Sequence, residues 1–163
     1  MGVIDKLVAN NETYAAEVEE SHLPVEPASH LAIVTCMDSR LDVFASLGLS
    51  VGDAHVIRNA GGVVTDDVIR SLVISQRKLG TEEIILVHHT DCGALTFTDD
   101  QLRSELLEET GQKPSWSPES FQDLDKDLRQ SMERVRTNPF VPRRDQVRGF
   151  IFDVHTGALR EVT

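Results

Sequence analysis

At 163 residues, with 40% hydrophobic and 26% charged side chains, the chain is long enough to bury a core and short enough to be one domain. Its 16 basic against 27 acidic residues give a formal net charge of −11, which repels phosphate backbones and anionic headgroups, so neither nucleic acid nor a membrane surface is an expected partner. No apolar run approaches the roughly 20 residues that span a bilayer, and Met1-Gly2-Val3-Ile4-Asp5-Lys6 has neither a basic n-region nor a long apolar stretch, so the expected address is the cytoplasm.

Residues 3–19 carry Val3, Ile4, Leu7, Val8, Tyr14, Ala15 and Val18 on one broad helical face. No strand precedes this helix and Pro24 and Pro27 follow it, so residues 1–20 form an arm that packs across the domain or onto a partner. Residues 31–35 (Leu-Ala-Ile-Val-Thr) have the length and β-branched content of a strand buried on both faces of a parallel sheet. The strand empties into Cys36-Met37-Asp38-Ser39-Arg40, and reactive groups at a strand's carboxyl end sit where open α/β sheets place their ligand sites. A short helix over residues 41–47 follows, closed by Gly48. Gly52-Asp53 turns into a second strand, 54–58, which Asn59-Ala60-Gly61-Gly62 breaks.

Thr65 caps the best-signalled helix, with Asp66 and Asp67 matched to the dipole, Val68, Ile69, Leu72, Val73 and Leu79 behind, and Gly80 closing it. Residues 84–88 form a third buried strand that runs into His88-His89-Thr90-Asp91-Cys92-Gly93. The spacing predicts a helix over 99–110 ending at Gly111, then a Pro-rich loop. Ser117, with Pro118 at the first helical position, predicts another helix through Phe121, Leu124, Leu128, Met132 and Val135. A fourth strand over 150–154 turns at His155-Thr156-Gly157 into a final strand, 158–162. Strands alternating with helices predict a single α/β domain over 1–163: a mostly parallel central sheet flanked by helices and closed by an antiparallel hairpin edge, with residues 31–93 as its catalytic core.

The chain has only two cysteines, and each follows a strand. A lone cysteine is most simply a small buried hydrophobe. Two of them at strand ends, with His89 three residues before Cys92, point to metal: Cys36, His89 and Cys92 are two thiols and an imidazole, the composition of a catalytic zinc site with one open position. His88 alternates to the opposite face of its strand and is expected to be a satisfied core or surface histidine. His55 is balanced between packing and pocket wall, and Gly61 and Gly62 read most simply as a turn. Gly93, directly after Cys92, is a candidate helix start whose amides would favour an anion.

Cys36-x-Asp38-x-Arg40 followed by His89-x-x-Cys92, with Gly52-Asp53-Ala54-His55-Val56-Ile57-Arg58-Asn59-Ala60-Gly61 between, resembles the β-class carbonic anhydrases, and a short actinobacterial-type subgroup in particular. The match is close over residues 30–97 and rests on architecture elsewhere. The resemblance implies one zinc per chain on Cys36, His89 and Cys92, with Asp38 paired to Arg40 beside the fourth position. It also implies hydration of CO2 to bicarbonate and assembly as a homodimer or higher homo-oligomer with the arm wrapping a neighbour. Zinc can bring the pKa of a bound water to about 7, giving a hydroxide that adds to CO2. Two thiolates already cancel the metal's charge, so hydration is expected to rise on the alkaline side of neutrality.

Held by Arg40, Asp38 orients the water; released, it becomes a fourth ligand and expels it. Ser50 stands where many members have glutamine, and Ala94 replaces a second glycine, which touches the substrate pocket and leaves the ligands intact. Related proteins hydrolyse carbonyl sulfide or carbon disulfide at the same site, so sulfur substrates are the alternative activity. A structural zinc site with Asp38 as fourth ligand, or a Cys36–Cys92 redox pair, is the alternative of another class. Asp42 breaks the Cys-x5-Arg pattern of cysteine phosphatases. Sequence position alone assigns the proton-carrying role to none of the six histidines.

Overall fold

The structure is a computed structural model that describes residues 2–18 and 22–163. In chain order its helices and strands are α1 (Val3–Glu17), β1 (Leu31–Cys36), α2 (Val43–Leu47), β2 (Ala54–Asn59), α3 (Asp66–Lys78), β3 (Glu83–His89), α4 (Asp99–Thr110), α5 (Leu124–Arg136), β4 (Val147–Phe152) and β5 (Leu159–Val162). The five strands form one sheet in the order β2-β1-β3-β4-β5. Every pairing is parallel except β4 with β5. The expected mostly parallel sheet with an antiparallel edge is therefore present.

β1 lies between β2 and β3, covered on both faces: Ala32 through Cys36 are all buried. Ala32, Val34, Ile84 and Leu86 face α3 and α5, which contribute Val68, Leu72, Leu128, Met132 and Val135. Ile33 and Val87 face the other way, against Val43 and Leu47 of α2. Each fully buried Leu or Ile contributes about 1.5–3 kcal/mol relative to exposure. α5 approaches β4 closely only because position 149 is glycine; a Cβ there would fall 2.9 Å from Met132 Sδ.

The capping chemistry sets the helix starts. Thr65 accepts from Val68 N at the start of α3, as its sequence signals, and Thr98 and Gln101 close a capping box on α4. α2 begins at Val43 rather than Leu41, because Asp42 Oδ1 accepts from Ala45 N at 3.0 Å. α5 begins at Leu124 rather than Pro118, because Asp123 is the residue that caps it and Glu119 takes a left-handed φ of 56°. β4 spans Val147–Phe152 rather than 150–154, since the chain already turns at Asp153. α1 ends at Glu17; the expected last residue, Glu19, lies outside the described residues. None of its residues is buried. Among the described residues, no helix is long and apolar enough to cross a membrane.

Candidate metal centre

The parallel pairing of β1 with β3 puts their carboxyl ends side by side, Thr35 opposite Val87. Cys36 closes β1 and His89 closes β3, and Asp91 then adopts φ 54°, a left-handed step that turns Cys92 back toward Cys36. The Sγ atoms of Cys36 and Cys92 lie 3.9 Å apart. The candidate ligand atoms of Cys36, His89 and Cys92 all fall within 4.8 Å of one another, and all three residues are buried. Both cysteines are free thiols.

His89 is aimed by its own backbone. Its Nδ1 lies 2.8 Å from Thr90 O, an atom that only accepts, so Nδ1 carries the proton and the Nε2 lone pair faces the sulfurs. Nε2 is buried with no hydrogen-bond partner, and Asp38 Oδ2, at 3.8 Å, is too far to serve as one. A buried ring nitrogen left bare beside two thiols fits a metal ion, since such a group otherwise costs about 1–3 kcal/mol. The electrostatics agree. The hydrogen bond from Cys92 holds the Cys36 thiol well below the ordinary range against the opposing effect of burial, with His89 adding to the lowering. The same bond and burial push Cys92 up. For His89, burial disfavours the charged ring, yet the adjacent Cys36 sulfur and the Thr90 carbonyl outweigh it and raise its pKa.

Asp38 and Arg40 form a two-pronged pair beside this triad: Nε donates to Oδ1 at 3.0 Å and Nη2 to Oδ2 at 2.8 Å. Arg40 N also donates to Oδ1 at 2.9 Å. The Arg40 guanidinium, and then its amide, hold the Asp38 carboxyl far below the usual carboxylate range. Arg40 Nη2 bonds in addition to Asp91 O at 2.9 Å, linking the Cys36 turn to the Cys92 turn.

Two contributors were not legible from spacing. Arg58, placed opposite Thr35 by the register, donates to the carbonyls of Cys36 (2.9 Å), Asp38 (2.6 Å) and Leu41 (3.2 Å) and so clamps the whole turn. Gly62 is more than a turn residue: at φ 68° its Cα faces the backbone of β1, where a Cβ would sit 2.8 Å from Cys36 N. The other candidates resolve more simply. His88 is fully buried on the far face, bonded to Asp127 Oδ2 at 2.7 Å and stacked on Phe121. His55 Nδ1 meets Ser75 Oγ at 2.8 Å, a packing role. Asp66 and Asp67 occupy the first turn of α3. Gly93 opens only a three-residue 3-10 turn, so no helix start for an anion exists there. Ser50 lies at the other end of β2, with its amide on Asp53 Oδ2.

A parallel α/β sheet with a Cys-His-Cys cluster and a carboxylate–guanidinium pair at its carboxyl edge defines a metal-site enzyme class. Residues 31–159 match the family described as carbonic anhydrase. The chain is 60% identical over 163 residues to β-carbonic anhydrase 1 of Mycobacterium tuberculosis, covering 100% of this chain and 99% of that protein. It is 37% identical over 151 residues to a carbon disulfide hydrolase of Acidithiobacillus thiooxidans, covering 80% of this chain and 75% of that one. A carbonic anhydrase from Streptococcus mutans superposes with a TM-score of 0.93 at 44% identity, over 100% of this chain and 99% of that one. The chain belongs to the β-class carbonic anhydrase family.

Proposed function

We propose that the chain hydrates CO2 reversibly to bicarbonate and a proton, using one zinc ion on Cys36, His89 and Cys92 with Asp38 and Arg40 as the catalytic pair. The observation that carries this is the bare, buried Nε2 of His89 within 4.8 Å of two thiols, three ligands with no fourth protein donor among the described residues. When bound, zinc supplies an acidified water that adds to the carbon of CO2. The chain's own residues do the rest. Asp38, ionised and pinned by Arg40, would accept a hydrogen bond from a water held at the open position and orient it. Arg40 keeps the carboxylate off the metal, with Asp91 O bracing the guanidinium from behind. Val63, Leu41 and Phe121 pack around the cysteines and suit a small apolar substrate.

The test is stopped-flow CO2 hydration by zinc-quantified protein at about pH 7 and about pH 8.5, because two thiolates leave the bound water less acidic than three histidines would. The expected outcome is one zinc per chain and a rate that rises with pH. Cys36→Ala should lose both the metal and the activity. Arg40→Ala frees Asp38 to take the fourth position and should lower the rate. A rate that stays flat from about pH 6.5 to about pH 9 would sink the ligand-charge reading. Carbon disulfide or carbonyl sulfide is the second reading, favoured by 34–37% identity to several carbon disulfide hydrolases. Full zinc with no hydration and measurable sulfide release would favour it. Full zinc with neither activity points to a structural site, and a metal-free disulfide to a redox pair.

We read the chain as one domain over 1–163, with residues 1–20 as an arm and 31–93 as the catalytic core. Homodimer or larger assembly is supported by α1, whose Val3, Ile4, Leu7 and Val8 are all exposed. Leu7→Asp is expected to shift the species seen in light scattering toward monomer. A cytoplasmic address suits two thiols 3.9 Å apart that must stay reduced to hold a metal.

A further inference from the structure

Each CO2 hydrated releases one proton, and the three candidate ligands are buried, so that proton has to be passed outward from the centre. Resting on the carbonic anhydrase reading, we infer that His155 is the proton-exchange residue of the site, held at its mouth by Asp91. Its placement is specific. β4 runs parallel to β3, so the turn after β4 reaches the same edge of the sheet as Cys92. Thr90 N donates to Phe152 O at 2.9 Å and Val154 N donates to Thr90 Oγ1 at 3.0 Å, stapling that turn to the metal loop. His155 Nε2 then lies 2.6 Å from Asp91 Oδ2. The carbonyl of the same Asp91 takes Arg40 Nη2, the nitrogen that also holds Asp38 Oδ2.

The alternatives at this rim are poor carriers. Both oxygens of Asp38 are already taken by Arg40, through Nε, Nη2 and its amide. Arg40 and Arg58 never give up a proton. Imidazole is the side chain suited to proton exchange near neutral pH. Of the six histidines, His30 bonds Gly80 O and immediately precedes β1, while His22 precedes Leu23, which lies against Gly52 before β2; both belong to the opposite edge. His55 is bonded to Ser75, and His88 and His89 are buried. His155 is 71% exposed.

With Nε2–H donating to Asp91, Nδ1 has no hydrogen-bond partner among the described residues and faces solvent. A proton delivered through solvent is taken at Nδ1, and the resulting cation is flanked by Asp91 and by Asp153, whose Oδ1 accepts the His155 amide at 2.8 Å. Arg40, beyond Asp91, is the opposing positive charge. An O–H bond of the solvent donor breaks as Nδ1–H forms; a buffer base then takes the Nδ1 proton, forming its own bond to hydrogen, and restores the neutral ring.

The experiment compares zinc-loaded wild type, His155→Ala and His155→Gln at low buffer concentration. Both variants should lose kcat by roughly 10- to 100-fold with kcat/KM for CO2 unchanged, and added imidazole should restore kcat. Glutamine keeps a donor toward Asp91, so its loss separates proton exchange from positioning. Independently of activity, the His155 ring resonance, assigned by its disappearance in His155→Ala, should move in Asp91→Ala, which removes the carboxylate that holds the ring. An unchanged kcat, a parallel loss of kcat and kcat/KM that imidazole does not rescue, or a ring resonance unmoved by Asp91→Ala overturns the assignment. A wild type that hydrates no CO2 overturns the carbonic anhydrase reading itself.

Discussion

The Cys36 and Cys92 turns place their sulfurs 3.9 Å apart yet are built in opposite ways. The Cys36 turn is braced from inside the sheet. Arg58 holds three of its carbonyls, Asn59 O takes Met37 N at 2.8 Å, and Gly62 presses backbone against backbone behind Cys36. The Cys92 turn is tied from outside, by Thr90 to the end of β4 and by the exposed Asp91–His155 pair. Besides the contact between the two sulfurs, Arg40 Nη2 joins the two turns, through Asp38 on one side and Asp91 O on the other. An inner turn held by packing tolerates no change of shape, whereas an outer turn held by single hydrogen bonds can be loosened bond by bond.

That contrast is broken most severely at glycine. Gly62→Ala meets both a positive φ and a backbone contact of 2.8 Å, so a loss of about 3 kcal/mol or more is expected in urea unfolding. Gly93→Ala, directly after Cys92, meets nothing within 4 Å and should change stability by less than about 0.5 kcal/mol. Equal losses in the two variants would erase the distinction between the turns. Arg58→Ala comes next. It removes three hydrogen bonds, about 1–3 kcal/mol of stability, and lets Cys36 and Asp38 shift together, which should lower kcat/KM by about 100-fold. Lysine cannot span three carbonyls with one ammonium, so Arg58→Lys should recover little of either.

The inner turn was also the harder one to see in the sequence. Residues 31–35 and 84–88 are apolar runs whose strand character is local, and the residues that follow them carry the metal chemistry in plain order. α4 was legible to the residue, because Gly111 closes it and its apolar spacing is local. Arg58 was not, since its role depends on the register that sets it opposite Thr35. Gly62 looked like a turn because a sequence shows φ preference and conceals the strand lying behind it. Pro118 suggested a helix start that Asp123 provides instead, six residues or so of chain being spent on covering the cysteines with Phe121. The His155–Asp91 contact joins residues separated by 64 positions, beyond any local signal.

Smaller effects sharpen the outer side. Thr90→Val keeps the shape of the side chain and removes the acceptor of Val154 N, so stability should fall by about 1 kcal/mol, with the 153–157 turn exchanging its amides faster than in the wild type. Unchanged exchange in that turn would mean that the β4–β5 hairpin holds itself without the metal loop.

The smallest effect concerns what covers both turns. Phe121 packs over the two cysteines, and its segment is pinned by Asp99, whose Oδ1 accepts from Ser120 N at 2.8 Å and Ser120 Oγ at 2.6 Å, while Oδ2 accepts from Ser117 Oγ at 3.0 Å. Burial disfavours the Asp99 carboxylate, yet these bonds outweigh it and hold the pKa below the usual carboxylate value. A group depressed in the folded state stabilises above its unfolded pKa, and that contribution is lost as pH falls through the folded one. Asp99 therefore adds stability at neutral pH that fades below about pH 4. Asp99→Asn should be less stable than wild type near pH 7, and the gap in urea midpoint should narrow toward about pH 3 as the Asp99 carboxylate takes up its proton. A gap of constant size at both pH values would show that Asp99 acts through shape alone, leaving the cover over the cysteines indifferent to charge.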